Sequence, residues 1–378
     1  MTEAIRLSNM EEITALKPEW EDLLRRASNM SIFMTWEWLV TWWEIYGENH
    51  DLHWLIVRRR DGKLTGGAPL YIRKLGNGWV LPHRELRFVG TGASVSPEHL
   101  DVVADPECTD EVIRALRDYW VDRFSDWDVL LLTDISHPRA AAYRLAEELS
   151  GQGVTAVIEQ QTPGAPSISF PVSWEEYFQS LGSRMRAHIG RCRRKLAREI
   201  GAAFELWSPE DGGLDRAFDE FERLFAARKE SIRIGNKFET ARGYRAFHHK
   251  LAGRFAERGW LYLAFLKAQK RALAAEYCFR YGQTLYSYQF GFEPALAKKN
   301  VFKVLRSWVI EDAIRSGLTE FDLLRGEESY KFHWNADIRP KQLVKCFSPT
   351  FYGRAIHGMA EWRQRGKRII QKAGMIQQ

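Results

Sequence analysis

Two stretches of this chain read alike. Residues 55–68, Leu-Ile-Val-Arg-Arg-Arg-Asp-Gly-Lys-Leu-Thr-Gly-Gly-Ala, and residues 263–276, Leu-Ala-Phe-Leu-Lys-Ala-Gln-Lys-Arg-Ala-Leu-Ala-Ala-Glu, each give an apolar strand, a basic turn and a strand of small residues. An echo that occurs only twice points to a duplicated α/β unit and excludes a solenoid, which needs three or more copies. At 378 residues the chain has room for two domains of ordinary size. Its 45% apolar and 13% aromatic content can give each a core, so disorder is expected only at the ends.

The first half opens with Leu16, Trp20, Leu23 and Leu24 at helical spacing. Trp36, Trp38, Trp42 and Trp43 crowd a second short helix, read as an aromatic cap on the first core. Segments 54–58 and 64–73 flank Asp61-Gly62, a pair that accepts positive φ and signals a hairpin. Further strands are expected at 86–89, 100–103, 127–133 and 154–159, with helices at 107–124 and 138–149. The Pro/Gly/Ser-rich stretch 162–167 reads as a linker, giving domains at 1–165 and 166–350 and a basic tail at 351–378. In the second half, helices are expected at 174–181, 184–200, 214–229 and 241–257, then strands at 260–267, 272–281 and 284–292. A helix at 301–316 and strands at 319–324 and 343–347 follow.

Nothing here is apolar enough for long enough to span a bilayer, and the N-terminus lacks the order of a signal peptide, so a cytoplasmic protein is expected. Cys108, Cys192, Cys278 and Cys346 form no Cys-x-x-Cys pair and there is no His-Glu-x-x-His, so no metal is expected. The net charge of +6 is concentrated in the tail, where Arg354, Arg363, Arg365, Lys367, Arg368 and Lys372 face only Glu361. In the helix at 184–198, Met185, Ile189, Cys192 and Leu196 share one face, while Arg184, His188, Arg191, Lys195 and Arg198 share the other. The basic tail points to an anionic partner, membrane lipid or nucleic acid. The basic helix face suits lipid phosphates, an anionic acceptor, tRNA or water; the two amphipathic elements together slightly favour an acceptor at an anionic membrane surface.

Candidate chemistry gathers between Thr284 and Trp334, at a helix start and in a polar run after a strand. Asn300 is placed as the N-cap of the 301–316 helix, where free N–H groups, with Lys298, Lys299 and Lys303 beside them, favour an anion; a solvated basic loop is the plainer reading. Past the strand ending at Asp322, the Arg325-Gly326 turn lies where open α/β sheets place ligands. There Glu327 and Glu328 could act as bases or accept an amine, Tyr330 could donate a proton, and Lys331 or His333 could polarise a carbonyl; all could equally cap a helix. Glu276 shares a strand face with Ala274, Cys278 and Arg280, and is either a base or a partner of Arg280.

The pattern Phe321-Asp322-x-x-Arg325-Gly326-Glu327-x-x-Tyr330-Lys331-x-x-Trp334 resembles the signature closing the second domain of CelD/BcsL-type acyltransferases, a GNAT-superfamily group related to FemAB-type enzymes. Residues 36–47, 61–71, 184–196 and 288–294 resemble, in order, that family's Trp-rich helix, hairpin, Arg-rich helix and tyrosine-bearing turn. The resemblance implies two tandem GNAT-like domains, each a mixed, mostly antiparallel central sheet flanked by helices. It implies acyl-CoA as co-substrate and a small-molecule or lipid acceptor in the cell envelope, a lipid amine such as a sphingoid base or an exopolysaccharide unit. Glu276, Asp322, Glu327, Tyr330, Lys331 and His333 become the expected catalytic set. Tyr288, Lys298, Lys299, Asn300, Val301, Phe302, Lys303 and Arg325 become the expected donor-binding set. Lys299-Asn300-Val301 stands where the family has a glycine, a loss that works against tight acyl-CoA binding unless Asn300 takes the same backbone conformation, which asparagine tolerates better than most residues. FemAB-like aminoacyl transfer from tRNA is one alternative, though the family's long coiled-coil arm has no counterpart in heptads here. A non-catalytic scaffold of exopolysaccharide assembly is the other.

Overall fold

A computed structural model describes residues 2–28, 30–77, 80–211 and 213–375, and the chain divides into two compact units, Met1–Gln161 with Lys341–Gln378, and Thr162–Pro340. The first unit opens with β1 (Glu3–Leu7), α1 (Met10–Arg26) and α2 (Trp36–Tyr46). Asn9 caps α1 by accepting from the Glu12 N–H at 2.9 Å, and Ile13, Leu16, Trp20, Leu23 and Leu24 bury one face. Trp38 and Trp42 on α2 are fully buried, Trp38 lying edge-on to Phe33 at 4.7 Å, so this helix is core.

β2 (Asp51–Arg58) and β3 (Leu64–Asn77) form the hairpin around Asp61-Gly62, with Gly62 at φ 85°. β4 (Val80–Phe88), β5 (Val103–Ala104), α3 (Thr109–Val121), β6 (Val129–Ile135) and α4 (Ala141–Ser150) follow. The order is β1-β2-β3-β4-β6, antiparallel except for the parallel β4/β6 pair, with β5 on β3. β1 escaped the sequence reading because only Leu7 of its five residues is buried, too little to show a period.

β7 (Thr155–Ser169) starts in the first unit and ends in the second, which contains α5 (Trp174–Ser180), α6 (Ser183–Ile200), β8 (Ala203–Leu206), α7 (Leu214–Ser231), α8 (Lys237–Thr240) and α9 (Tyr244–Glu257). It continues with β9 (Leu261–Ala268), β10 (Arg271–Tyr281), β11 (Thr284–Phe292), α10 (Val301–Arg315), β12 (Glu320–Asp322) and α11 (Ser329–Phe332). The order is β7-β12-β11-β10-β9-β8, antiparallel except for the parallel β11/β12 pair. The sequence echo is therefore a repeated hairpin, β2–β3 and β9–β10, each leading to an antiparallel third strand and a parallel fourth.

Two expectations about boundaries are corrected. The stretch 162–167 is strand, not linker: Ser167, Ile168 and Ser169 pair with Asp322, Phe321 and Glu320, a partnership that composition does not encode. β13 (Asp337–Phe347) leaves the second unit and pairs with β6 from Gln342↔Ile135 to Phe347↔Val129, so 341–350 groups with the first unit, as does α12 (Phe351–Met375). No helix among the described residues is long and apolar enough to cross a membrane.

In the second unit, α5, α6 and α10 cover one face of the sheet, with Ile189, Leu196, Val304 and Val309 against Ala274 and Cys278. α7 and α9 cover the other through an aromatic layer in which Phe218 and Phe221 meet Tyr277 at 5.2 and 5.3 Å. α7 comes closest at Gly291, where a Cβ would overlap the Phe225 N and the Leu224 backbone. Gly291→Ala should therefore cost about 1–3 kcal/mol in urea unfolding, the range for overpacking.

The same layer encloses His248, fully buried, with neither ring nitrogen hydrogen-bonded and Tyr244 at 4.4 Å. Burial holds its imidazole well below the ordinary value, so it stays neutral in the fold while the unfolded chain takes up a proton below pH about 6.5. Stability is then lost as pH falls below that value. His248→Phe should remove this loss, changing the wild type–variant difference by up to about 1.4 kcal/mol per pH unit in unfolding titrations below pH about 6.5.

Candidate active site

β11 and β10 slip by one residue between Tyr277 and Cys278, so Tyr288 is an extra residue facing Gln289↔Tyr277 on one side and Ser287↔Cys278 on the other. Such a bulge bends the strand. On its other edge β11 pairs with β12 only through Thr284↔Glu320, Leu285↔Phe321 and Tyr286↔Asp322. Beyond Tyr286 it runs on to Phe292, and among the described residues no strand pairs with that edge. The second unit thus holds a cleft walled by strand backbone whose N–H and C=O groups are open to a ligand.

α10 starts after this edge. Asn300 precedes it at φ 59°, ψ 34°, the left-handed backbone that would stand in for a glycine. Its side chain does not cap the helix; Nδ2 donates instead to the Lys298 carbonyl at 3.3 Å. The first-turn N–H groups therefore receive no acceptor from it. Lys298 and Lys299 are exposed and Lys303 half-buried. Val301 is buried core, and Phe302 stacks on Phe290 at 4.0 Å, so these two contribute backbone to the mouth and side chains to the interior.

Glu276 is fully buried and turns toward α10, where its partner is Arg306, not Arg280, which is exposed. Arg306 Nη2 meets Glu276 Oε1 at 2.5 Å, and the Ser287 hydroxyl donates to the same oxygen at 2.6 Å. Oε2 has no hydrogen-bond partner and neither has Arg306 Nη1. Burial works against the Arg306 charge, but the Glu276 carboxylate outweighs it and raises the guanidinium above its ordinary value. Arg306 also lies 5.6 Å from the rings of Phe290 and Tyr330. Burial pushes the Tyr330 phenol above its ordinary value against the pull of Arg306, keeping it a proton donor near neutral pH. Arg306 and Ser287 were missed from sequence; the one available signal was a lone arginine among Val304, Leu305, Val309 and Ile310.

Other expected residues hold the neighbouring turn. Asp322 is buried, accepts from the Leu324 N–H at 2.8 Å and pairs with Arg339 at 3.2 Å. Lys331 is buried and spends its three donors on the carbonyls of Leu324, Arg325 and Gly326, each at 3.0 Å, which takes it away from polarising a substrate carbonyl. Glu327 accepts from the Gly164 N–H at 2.7 Å, and His333 and Arg325 are exposed. Tyr288 points into the aromatic layer, 5.0 Å from His248, and away from the cleft. On α6, Ile189 and Leu196 are buried while Arg184, Arg191, Lys195 and Arg198 are exposed, as the two-faced pattern requires. Asp219, Glu222 and His249 lie close enough to hold an ion, but Arg245 already bonds to both carboxylates.

Comparison with known proteins agrees with this geometry. Residues 183–332 match the model of the Acetyltransferase (GNAT) domain. Among solved structures, FemX aligns over 90% of this chain and 96% of its own at 12% identity, TM-score 0.63. The C-terminal domain described as that of a lysylphosphatidylglycerol synthetase from Agrobacterium fabrum aligns over 92% and 95% at 11% identity, TM-score 0.54. L-PGS from Bacillus licheniformis aligns over 93% and 96% at 10% identity, TM-score 0.53. No curated protein matches by sequence. The chain has a GNAT-like fold, and residues 183–332, within its second unit, match the GNAT-domain model.

Breaking a buried pair leaves one charge stranded. Arg306→Met should lower the unfolding free energy by about 3–5 kcal/mol, and Glu276→Leu/Arg306→Met should recover most of it in urea titrations.

Proposed function

We propose that the protein is a GNAT-type N-acyltransferase that moves an acyl group from acyl-CoA to an amine of a cell-envelope precursor, a lipid amine such as a sphingoid base or an exopolysaccharide unit. One observation carries this: the β11 edge left open beyond Tyr286, leading to the left-handed Asn300 and the start of α10. An extended arm bearing amides can pair with such an edge, and phosphates suit a helix start flanked by Lys298, Lys299 and Lys303. When bound, acyl-CoA supplies the activated carbonyl and a thiolate leaving group.

The acceptor amine gives up a proton to solvent as the new bond to the carbonyl carbon forms. The carbon–sulfur bond breaks with its electron pair leaving on sulfur, and the sulfur takes a proton from a donor that solvent then refills. Tyr330, kept protonated by burial, is suited to protonate the sulfur. Glu276 acts through Arg306, which it fixes beside Phe290 and Tyr330, more than as a direct base, because both of its oxygens are shut from solvent. The exposed basic face of α6, and Phe351 and Trp362 exposed at 78% and 77% on α12, support a peripheral place on an anionic membrane.

The likeness of fold to FemX and to lysylphosphatidylglycerol synthetase domains supports a second reading, aminoacyl transfer from tRNA onto an envelope acceptor. Isothermal titration with acetyl-CoA and a long-chain acyl-CoA separates the readings. Binding of the long chain in preference to acetyl favours lipid acylation; binding of aminoacyl-tRNA alone favours the second reading; binding of none leaves a scaffold. Tyr330→Phe and Glu276→Gln should each reduce turnover at least about tenfold in a steady-state assay with the bound acyl-CoA. Normal turnover in both would remove them from the mechanism.

A further inference from the structure

At the cleft, Phe290 is sandwiched. Phe302, in the first turn of α10, stacks on it at 4.0 Å, and the Arg228 guanidinium of α7 lies over it at 3.9 Å. The ring therefore stands as a wall between the helix start suited to the donor's phosphates and a second cationic group. Arg228 is half-buried, yet no carboxylate, carbonyl or hydroxyl among the described residues accepts from it. Its neighbour Lys229 likewise has only the Phe225 ring, at 5.2 Å. Desolvated cations are normally paired, and these two are not.

More positive charge gathers with them. Lys229 feels Arg228 and Lys237, and Lys237, over the Tyr244 ring at 5.7 Å, feels Arg325; burial and this mutual repulsion hold both lysines below their ordinary values. The acid in their midst, Glu328, is engaged by Lys331 at 3.1 Å. One carboxylate on a ligand would answer only one of Arg228 and Lys229, whereas a phosphate dianion matches the charge of both and the flat fork of the arginine.

We propose that Arg228, Lys229, Lys237 and Arg325 hold a phosphate group carried by the acceptor, on the far side of Phe290 from the donor. This rests on the acyltransferase reading above and adds to it the acceptor's chemical class. The segment joining α7 to α8 favours a phospholipid over a soluble phosphate ester as the source. It leaves Ile232 and Ile234 exposed at 46% and 54% on either side of Arg233, the pairing of apolar tips and cations that suits a lipid headgroup region.

The test uses the full-length protein, with titrations of pyrophosphate and, separately, of acyl-CoA. Arg228→Met should weaken pyrophosphate binding at least about tenfold, the worth of a charge-assisted bidentate contact, and leave acyl-CoA binding within about twofold. Lys298→Ala/Lys299→Ala should do the reverse. Lys237→Met, which keeps the length and apolar stem of the side chain, should weaken pyrophosphate by about threefold, one partly screened charge. Pyrophosphate binding in Arg228→Met and Lys237→Met equal to wild type overturns the inference, as does wild type that binds no pyrophosphate. Wild type that binds pyrophosphate but no acyl-CoA overturns the donor reading instead. Co-sedimentation with phosphatidylcholine vesicles containing phosphatidylglycerol, and not with phosphatidylcholine alone, assigns the phosphate to a lipid when Ile232→Ser/Ile234→Ser abolishes it. Pyrophosphate binding without sedimentation assigns it to a soluble ester.

Discussion

Three residue pairs hold β11 beside β12, and from Ser287 to Phe292 that edge of β11 has no strand partner among the described residues, while its other edge stays paired with β10. An open backbone edge inside a folded unit is unstable company for water-starved surroundings, so it must meet a ligand or solvent. The other features of the second unit serve this parting. The extra residue at Tyr288 bends β11. Gly291 admits α7 so closely that Arg228 reaches the cleft. Asn300 reverses the chain so that α10 begins where the open edge ends.

Beneath the cleft, the Glu276–Arg306 pair sets what chemistry is available. A carboxylate with no solvent exposure and a guanidinium at 2.5 Å is a fixed dipole, poorly placed to collect a proton from a diffusing acceptor. Its effect on the cleft passes through Arg306, whose charge lies against the Phe290 and Tyr330 rings. Tyr330 is the member of this group that combines partial exposure with a phenol held in its acid form. The division of labour is thus between a buried pair that shapes the field and a half-exposed tyrosine that can transfer a proton.

Much of the fold was legible because its signals are local. Asp61-Gly62 marked a hairpin, the spacing of Ile189 and Leu196 marked the buried face of α6, and the echo marked two units of one design. What depends on pairing across long sequence separations was not. The strand at 162–169 looks like a linker until Phe321 supplies its partner, and Gln342 to Phe347 change units because β6 lies far earlier in the chain. The candidate site divides the same way. Glu276 and Asn300 announced themselves through an unusual residue in a recognisable element. Lys331 looked catalytic because a lysine near a turn carries charge, but three carbonyls in reach make it the turn's fastening. Arg228 gave no signal, since an arginine late in an amphipathic helix is ordinary and only the missing partner makes it otherwise.

The duplication shows why the two units need not share one chemistry. In the first, β4 and β6 also pair in parallel through three positions, Glu85↔Val129 to Arg87↔Leu131. There the end of β6 is covered by the unit's own chain: the Leu100 N–H donates to the Asp134 carbonyl at 3.0 Å. The buried Lys341 ties Asp134 to Glu98 at 3.3 and 3.4 Å. The position that the echo aligns with Glu276 is Ala68, fully buried and without charge. A gap filled by its own backbone offers a donor no edge, and the buried carboxylates beside it are already held by Lys341. The same topology in the second unit keeps the edge open, places an ion pair under it and brings unpaired cations to its rim.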